Sequence, residues 1–251
     1  MPSREDTSTS GRLVVVTGGS RGIGRAIVDR FLEAGDRVVA IGRDREALAT
    51  IPADTEVCDV TDEAEVTRVF ARLRGADVLV NNAGVSSSAP LKRTTLSDWH
   101  AQLEVNATGV FLCTRAILPH MVTRGRGRVI IVASTAGRVG YRYSSAYVAS
   151  KHAAVGLMRA LATEVVGTGV TVNAVCPSFV RTDMTRRSVE RIGAATRQEE
   201  ADVEAALGTS SPIGRLLEPG EVAAAVAFLA SDDAGAINGQ ALVLDGGGVQ
   251  A

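Results

Sequence analysis

The sequence predicts an α/β protein in which a doubly wound parallel sheet of about seven strands carries helices on both faces. Three observations lead to that expectation. Short apolar runs alternate with segments of helical periodicity from Leu13 to Leu244. A glycine-rich turn, TGGSRGIG at 17–24, separates the first apolar run from the first helical segment. The composition, 45% hydrophobic and 22% charged over 251 residues, suits a single large core and shows no second regime.

The elements follow in order. Leu13-Val14-Val15-Val16 reads as a strand buried on both faces, and Ala26, Ile27, Phe31 and Leu32 then recur at helical spacing until Gly35 closes the helix. Val38-Val39-Ala40-Ile41 completes a strand–helix–strand unit. Residues 62–73 read as a helix, 77–80 as a strand, and 97–121 as one long helix with Ser97 as its N-cap. A strand at 128–133, a helix at about 146–166 and a strand at 170–175 continue the alternation, and a helix at 221–229 and a strand at 241–244 end it. One domain, 12–251, is expected after a flexible polar leader at 1–11 that has no apolar signal-like core. The polar, charge-dense stretch at about 181–215 breaks the rhythm; it is either an exposed helical pair or a helical substrate lid, and its place in the sheet favours the lid.

Charge and cysteines narrow the function classes. A formal net charge of −1 argues against a general nucleic-acid or acidic-membrane binder. No apolar run approaches the roughly eighteen residues of a membrane span. Cys58, Cys113 and Cys176 are odd in number and far apart, which suits a reducing cytoplasm better than a disulfide framework. His100 and His120 have no carboxylate or cysteine at ligand spacing, so no metal is expected.

Gly18, Gly22 and Gly24 make the first turn a candidate phosphate cradle, because glycine lets backbone approach a pyrophosphate and the next helix offers free N–H groups. A dinucleotide is the expected ligand at the turn after the first strand. At the end of the second strand Gly42 stands where a carboxylate would grip ribose hydroxyls, and Arg43, with Arg21 in the turn, is placed to meet a 2′-phosphate. NADP(H) is therefore expected to be preferred, with NAD(H) also possible.

Downstream, Tyr147 and Lys151 lie four residues apart at the start of a helical run, so they share a face, and Ser134 ends the strand before them. A phenol has an ordinary pKa of about 10, far from neutrality. An ammonium ~4 Å away at an effective dielectric of ~20 is worth roughly 4 kcal/mol, enough to make such a phenol a working acid or base.

These residues, in this order, resemble the short-chain dehydrogenase/reductase family in its compact form, over nearly the whole chain. TGGSRGIG is similar to its TGxxxGxG turn, Asp59-Val60 to the pair that lines the adenine, and Asn81-Asn82-Ala83-Gly84 to its NNAG segment; Asn106 matches its helix-bending asparagine. Ser134, Tyr147 and Lys151 match its serine, tyrosine and lysine, with twelve residues between Ser134 and Tyr147. The resemblance implies a Rossmann-type fold and an NAD(P)-dependent oxidoreductase that interconverts a ketone and a secondary alcohol. Ser134 would then polarise the carbonyl oxygen, Tyr147 donate or accept its proton, Lys151 assist Tyr147 and hold the nicotinamide ribose, and Asn106 fix a proton-supplying water path. Ser20, Arg21, Ile23, Val60, Asn82, Ala83, Gly84, Pro177, Val180 and Thr182 join the glycines, Arg43, Asp59, Tyr147 and Lys151 as the implied cofactor contacts. Cys176-Pro177-Ser178 departs from the family's Pro-Gly.

The pattern, with Ile237-Asn238-Gly239 and Leu244-Asp245-Gly246-Gly247, is most similar to 3-oxoacyl reductases acting on acyl-CoA, carrier-bound or polyketide substrates. Val166-Gly167-Thr168-Gly169 lacks the basic residue that carrier-serving members tend to have at that helix end. Arg181, Arg186, Arg187 and Arg191 either meet an anionic group or form a solvated face balanced by Asp183 and Glu190, the more usual fate of such charges. Tyr141, Tyr143, Phe179 and Met184 are candidates for a pocket wall that would admit a bulky or aromatic ketone, and His152 is read as structural. The competing readings are a dehydrogenase of secondary alcohols or hydroxyacyl-CoA, a sugar-nucleotide epimerase, which usually needs a larger C-terminal region, and a non-catalytic dinucleotide sensor, which would have no use for the Tyr/Lys pair. The family resemblance implies a homotetramer, or a dimer, built on 97–121, 146–166 and 241–244.

Overall fold

The computed structural model describes residues 11–250. Of the expected leader at 1–11, all but Gly11 lies outside the described residues. Strand β1 (Leu13–Thr17) is buried on both sides: Val14 and Val16 face one layer and Val15 the other, all three at 0% exposure. Helix α1 (Gly22–Glu33) packs Ile27, Val28 and Phe31 into the first of these layers, and β2 (Arg37–Gly42) returns parallel to β1.

A short helix α2 (Arg45–Ala49), capped by the Asp44 side chain, and a strand β3 (Asp54–Val57) come next. Neither was expected. The β3 sequence DTEV has no apolar run because it forms the outer edge of the sheet, where Asp54 pairs with Arg37 at 3.0 Å and Glu56 with Arg72 at 2.7 Å. Helix α3 (Glu63–Phe70), with Asp62 accepting two first-turn N–H groups, and β4 (Val78–Asn81) restore the alternation.

The long helix expected over 97–121 is divided. Helix α4 (Leu96–Leu103) starts at Thr95, not Ser97, because Thr95 and Asp98 each bond the other's backbone N–H as a capping box. Residues 104–108 then form a π turn, with the Gly109 N–H reaching back to the Glu104 carbonyl, before α5 (Gly109–Arg124) runs to a left-handed Gly125 at φ 69°. Strand β5 (Gly127–Val132), helix α6 (Ser145–Glu164) and strand β6 (Val170–Pro177) follow. The charged stretch at 181–215 is a helical pair, α7 (Asp183–Thr196) and α8 (Glu200–Thr209), joined through Arg197 at φ 60°. Helix α9 (Pro219–Leu229) and strand β7 (Ala241–Leu244) complete the chain. Asn238 fixes β7 against its neighbours by accepting the Val172 N–H at 2.9 Å and donating to the Ala162 carbonyl at 2.8 Å.

The sheet order is β3-β2-β1-β4-β5-β6-β7, and every pairing is parallel. One core layer gathers Phe70, Ile117, Met121 and Met158 from α3, α5 and α6, and the other gathers Ile27, Phe31, Val226 and Leu229 from α1 and α9. Burying one such side chain contributes roughly 1.5–3 kcal/mol. Because β1 has β2 on one side and β4 on the other, the strand order reverses there, and a crevice opens at the carboxyl ends of the strands. Among the described residues, no helix is long and apolar enough to cross a membrane.

Candidate active site

The crevice is a cleft of about 720 Å³. Tyr147 and Lys151 reach it from the first turns of α6, one turn apart as the spacing predicted. Ser134, just past β5, caps a short 3₁₀ turn by accepting the Ala136 N–H at 3.1 Å. The loop between them is held in a costly conformation: Tyr143 sits at φ 63°, and its carbonyl accepts the Ala89 N–H at 2.8 Å from the loop after β4.

The electrostatics differ from the simple expectation that an ammonium lowers the phenol. Burial pushes the Tyr147 phenol up from its ordinary value, and a hydrogen bond with the Ser134 hydroxyl draws it only partway back. Burial also lowers Lys151, to about 8. Its Nζ donates to the Val132 carbonyl at 2.9 Å and lies 5.8 Å from the centre of the Tyr147 ring. Desolvation is the leading cause of the shift in both groups.

Asn106, in the π turn, is 1% exposed, and both its amide oxygen and its amide nitrogen are engaged. It accepts the Val85 N–H, donates to the Val85 carbonyl and donates to Ser150 Oγ, each at 2.9 Å. Ser150 in turn donates to the Tyr147 carbonyl at 2.8 Å. Asn106 is thus tied through Ser150 to the helix bearing Tyr147. Sequence reasoning missed Ser150, whose only signal was its place between Tyr147 and Lys151.

The cofactor residues expected from the sequence are largely brought together. Gly18, Ser20, Arg21, Gly22, Ile23 and Gly24 line the cleft at the end of β1, Arg43 at the end of β2, and Asp59 with Val60 after β3. Asn82, Ala83 and Gly84 line it after β4, and Thr182 at the cap of α7. Asn82 braces the glycine turn by donating to the Thr17 and Gly18 carbonyls, both at 3.0 Å. Asp59 accepts from Thr61 and is met by Arg43 at 3.4 Å; burial raises its pKa, but the Thr61 and Arg43 contacts together bring it below the usual value.

Pro177 and Val180 are not in the cleft wall. Pro177 ends β6 inside the sheet, and Val180 is 4% exposed in the core layer beside α9, bridged to Leu217. Asn106 is buried behind the wall, whereas Ser134 is half-buried and hydrogen-bonded with Tyr147 at its edge. Of the four candidate pocket residues only Met184 faces the cleft; the Tyr141 hydroxyl is engaged with Thr135 Oγ1 at 2.9 Å. His152 points away, its ring nitrogen 2.9 Å from the Val148 carbonyl.

The turn fits a dinucleotide phosphate. A Cβ on Gly24 would stand 2.1 Å from the Gly18 carbonyl oxygen, and one on Gly18 would stand 2.9 Å from Ala83 Cα, so bare backbone is required here. Gly18 and Gly22 also have φ of 65° and 54°, which favour glycine. Arg21 occupies the N-cap of α1 without a side-chain cap, and the first turn has no acid, which leaves its N–H groups free for an anion.

A parallel α/β sheet with this cleft at its switch point defines a nucleotide-dependent enzyme, and the family model described as short chain dehydrogenase matches residues 12–193. The chain belongs to the short-chain dehydrogenase family and is an NAD(P)-dependent oxidoreductase. Among its relatives, a Streptomyces violaceoruber protein described as "Granaticin polyketide synthase putative ketoacyl reductase 1" is 39% identical over 94% of this chain and 92% of its own. The 3-oxoacyl-acyl-carrier-protein reductase FabG of Escherichia coli is 34% identical over 94% of this chain and 97% of its own. A crystal structure of an actinorhodin polyketide ketoreductase variant with NADPH is 36% identical, covers 94% of this chain and 97% of its own, and superposes with a TM-score of 0.90.

Proposed function

We propose that the protein is an NADPH-dependent ketoreductase that reduces a 3-oxoacyl group, borne by CoA or a carrier, to the 3-hydroxy product. The observation that carries this is the convergence of Tyr147, Lys151 and the bare-backbone glycine turn on one cleft. The ketoacyl reductases among the relatives support the substrate class.

When bound, NADPH supplies the hydride that adds to the carbonyl carbon. The free N–H groups of α1 and the backbone at Gly18 and Gly22 receive its pyrophosphate. Arg43 and Arg21 receive the 2′-phosphate, with Arg43 turning from Asp59. Thr182 holds the carboxamide. The Ser134 hydroxyl steadies the substrate oxygen as charge develops on it. Tyr147 Oη gives that oxygen its proton, and burial, which raises the phenol pKa, keeps it in the protonated form that this role needs. Lys151, fixed by the Val132 carbonyl, keeps a positive charge near the phenol and reaches the ribose. Asn106 and Ser150 hold the backbone around Val85 and Tyr147 and so fix the route by which water restores the proton.

Residues 12–251 act as one domain, with α7 and α8 as a helical lid over the cleft. Cys58, Cys113 and Cys176 are buried free thiols, which supports a cytoplasmic setting. Trp99 and Phe111 on α4 and α5 and Leu242 on β7 are exposed apolar side chains that support a homotetramer through these elements and α6.

The test follows absorbance of the reduced nicotinamide with acetoacetyl-CoA and a panel of aryl ketones, each with NADPH and NADH. Acetoacetyl-CoA with NADPH is expected to turn over fastest. Tyr147→Phe is expected to lose about a thousandfold or more in kcat while still binding NADPH; undiminished turnover would falsify the assignment.

A further inference from the structure

The arginines of the 181–215 segment divide by position. Arg181 is committed to Glu204 and to Glu218 at 3.0 Å, and Arg186 to Glu190 and to Asp183 at 3.5 Å. These pairs are the solvated, balanced face anticipated from the sequence. Arg187 and Arg191 are different: four residues apart on α7, they line the cleft, and among the described residues neither has a carboxylate within salt-bridge range. Arg191 bonds only Ser188 Oγ, at 3.2 Å.

The cleft's acids are already satisfied. Asp59 is held by Thr61 and Arg43, Asp183 by Arg186, and Asp44 by the Ala47 N–H that it caps. The start of α7 is seated on the glycine turn, since a Cβ on Gly22 would meet Thr182 Cγ2 at 3.3 Å. The helix therefore extends a pair of uncompensated cations along the cleft, beyond those on Arg21 and Arg43.

We propose that Arg187 and Arg191 form a second phosphate clamp, binding a phosphoester group of a ligand in this cleft from the α7 side. The proposal rests on the ketoreductase reading for the identity of the ligands. The shared chemistry is an oxygen-rich phosphate dianion or diester, met by guanidinium groups in charge-assisted hydrogen bonds. Two sources carry it: the phosphates of the nicotinamide dinucleotide, and the diphosphate or phosphodiester of a pantetheine-borne acyl substrate, on CoA or on a carrier.

The experiment compares wild type, R187Q/R191Q and R186Q. Dissociation constants for NADPH are measured by fluorescence titration, and KM values for acetoacetyl-CoA and for ethyl acetoacetate, which carries no phosphate. R186Q, which removes a paired cation from the same helix, is expected to match wild type in each. If the clamp holds the cofactor, R187Q/R191Q weakens NADPH at least tenfold. If it holds the substrate, the KM for acetoacetyl-CoA rises at least tenfold, while that for ethyl acetoacetate and the NADPH affinity stay within twofold. Both losses diminish as salt is raised. NADPH affinity and both KM values within twofold of wild type, in a double variant with an unchanged melting temperature, would overturn the proposal. Should wild type reduce neither ketone, the ketoreductase reading fails, and the NADPH titration still decides whether the clamp serves the dinucleotide.

Discussion

Lys151 couples the site to pH. Its buried pKa of about 8 lies below the ordinary 10.5, so the folded protein releases this proton before the unfolded chain does. Stability gained from Lys151 therefore rises with pH between about 8 and 10.5, and below about 8 the cost of the buried charge is carried in full. Activity runs the other way, because the charge beside the phenol is lost as pH rises. The expected profile of kcat/KM for reduction is level through neutrality, where Tyr147 is protonated and Lys151 charged, and falls with a midpoint near 8. Lys151→Arg, whose charge persists, is expected to be impaired but to lose that falling limb. A wild-type profile level to about pH 9.5 would contradict the assignment. At this scale the sequence indicated that Ser134, Tyr147 and Lys151 come together but not their balance of forces. Helical spacing shows which groups meet, whereas desolvation depends on everything else packed around them.

Among the elements, the π turn between α4 and α5 is the one on which the site most depends. Its widened turn carries Asn106, whose buried amide binds Val85 on one side and Ser150 on the other. Asn106→Leu removes three bonds at once, leaving the Val85 N–H and carbonyl unmatched and Ser150 with only its bond to the Tyr147 carbonyl, and is expected to destabilise the protein by about 2–5 kcal/mol in urea unfolding. Ser150→Ala removes two bonds, the one accepted from Asn106 and the one donated to the Tyr147 carbonyl, and is expected to cost about 1–2 kcal/mol. Equal effects of the two would contradict this account. Strands such as β1 and β5 were legible because both faces are buried and the code is a continuous apolar run. The β3 edge, half exposed and polar, offered no such run, and apolar periodicity does not register one extra residue in a helical turn, so the break at 104–108 was signalled only by the likeness of Asn106 to a helix-bending asparagine. Helix α7 illustrates the same limit: its arginines were evident as a group, but only their positions around the helix separate the paired Arg186 from Arg187 and Arg191 in the cleft.

Across the molecule, the parallel order gathers the loops and helix starts that line the cleft at the carboxyl ends of the strands. This was the most legible level, since strand–helix alternation and the glycine turn dictate it together. Association of copies is predicted from the apolar side chains left on α4, α5 and β7. The native mass in light scattering is expected near 104 kDa, four times 26.1 kDa, and Phe111→Glu, at a 41% exposed position on α5, is expected to lower it. A monomer mass for the wild type would exclude the assembly.

The two borders of the sheet bear on that association in different ways. At β3, Asp54 and Glu56 with their arginine partners crowd the border with fixed charge, which discourages an incoming strand. At β7 the border carries Leu242, 37% exposed. Growth of the sheet from molecule to molecule would require both borders to accept a neighbour, and only one is suited to do so. Contact across β7 would therefore be self-limiting: two copies related by a two-fold axis would use up the receptive border of each, and the charged borders turned outward would resist extension into a fibre.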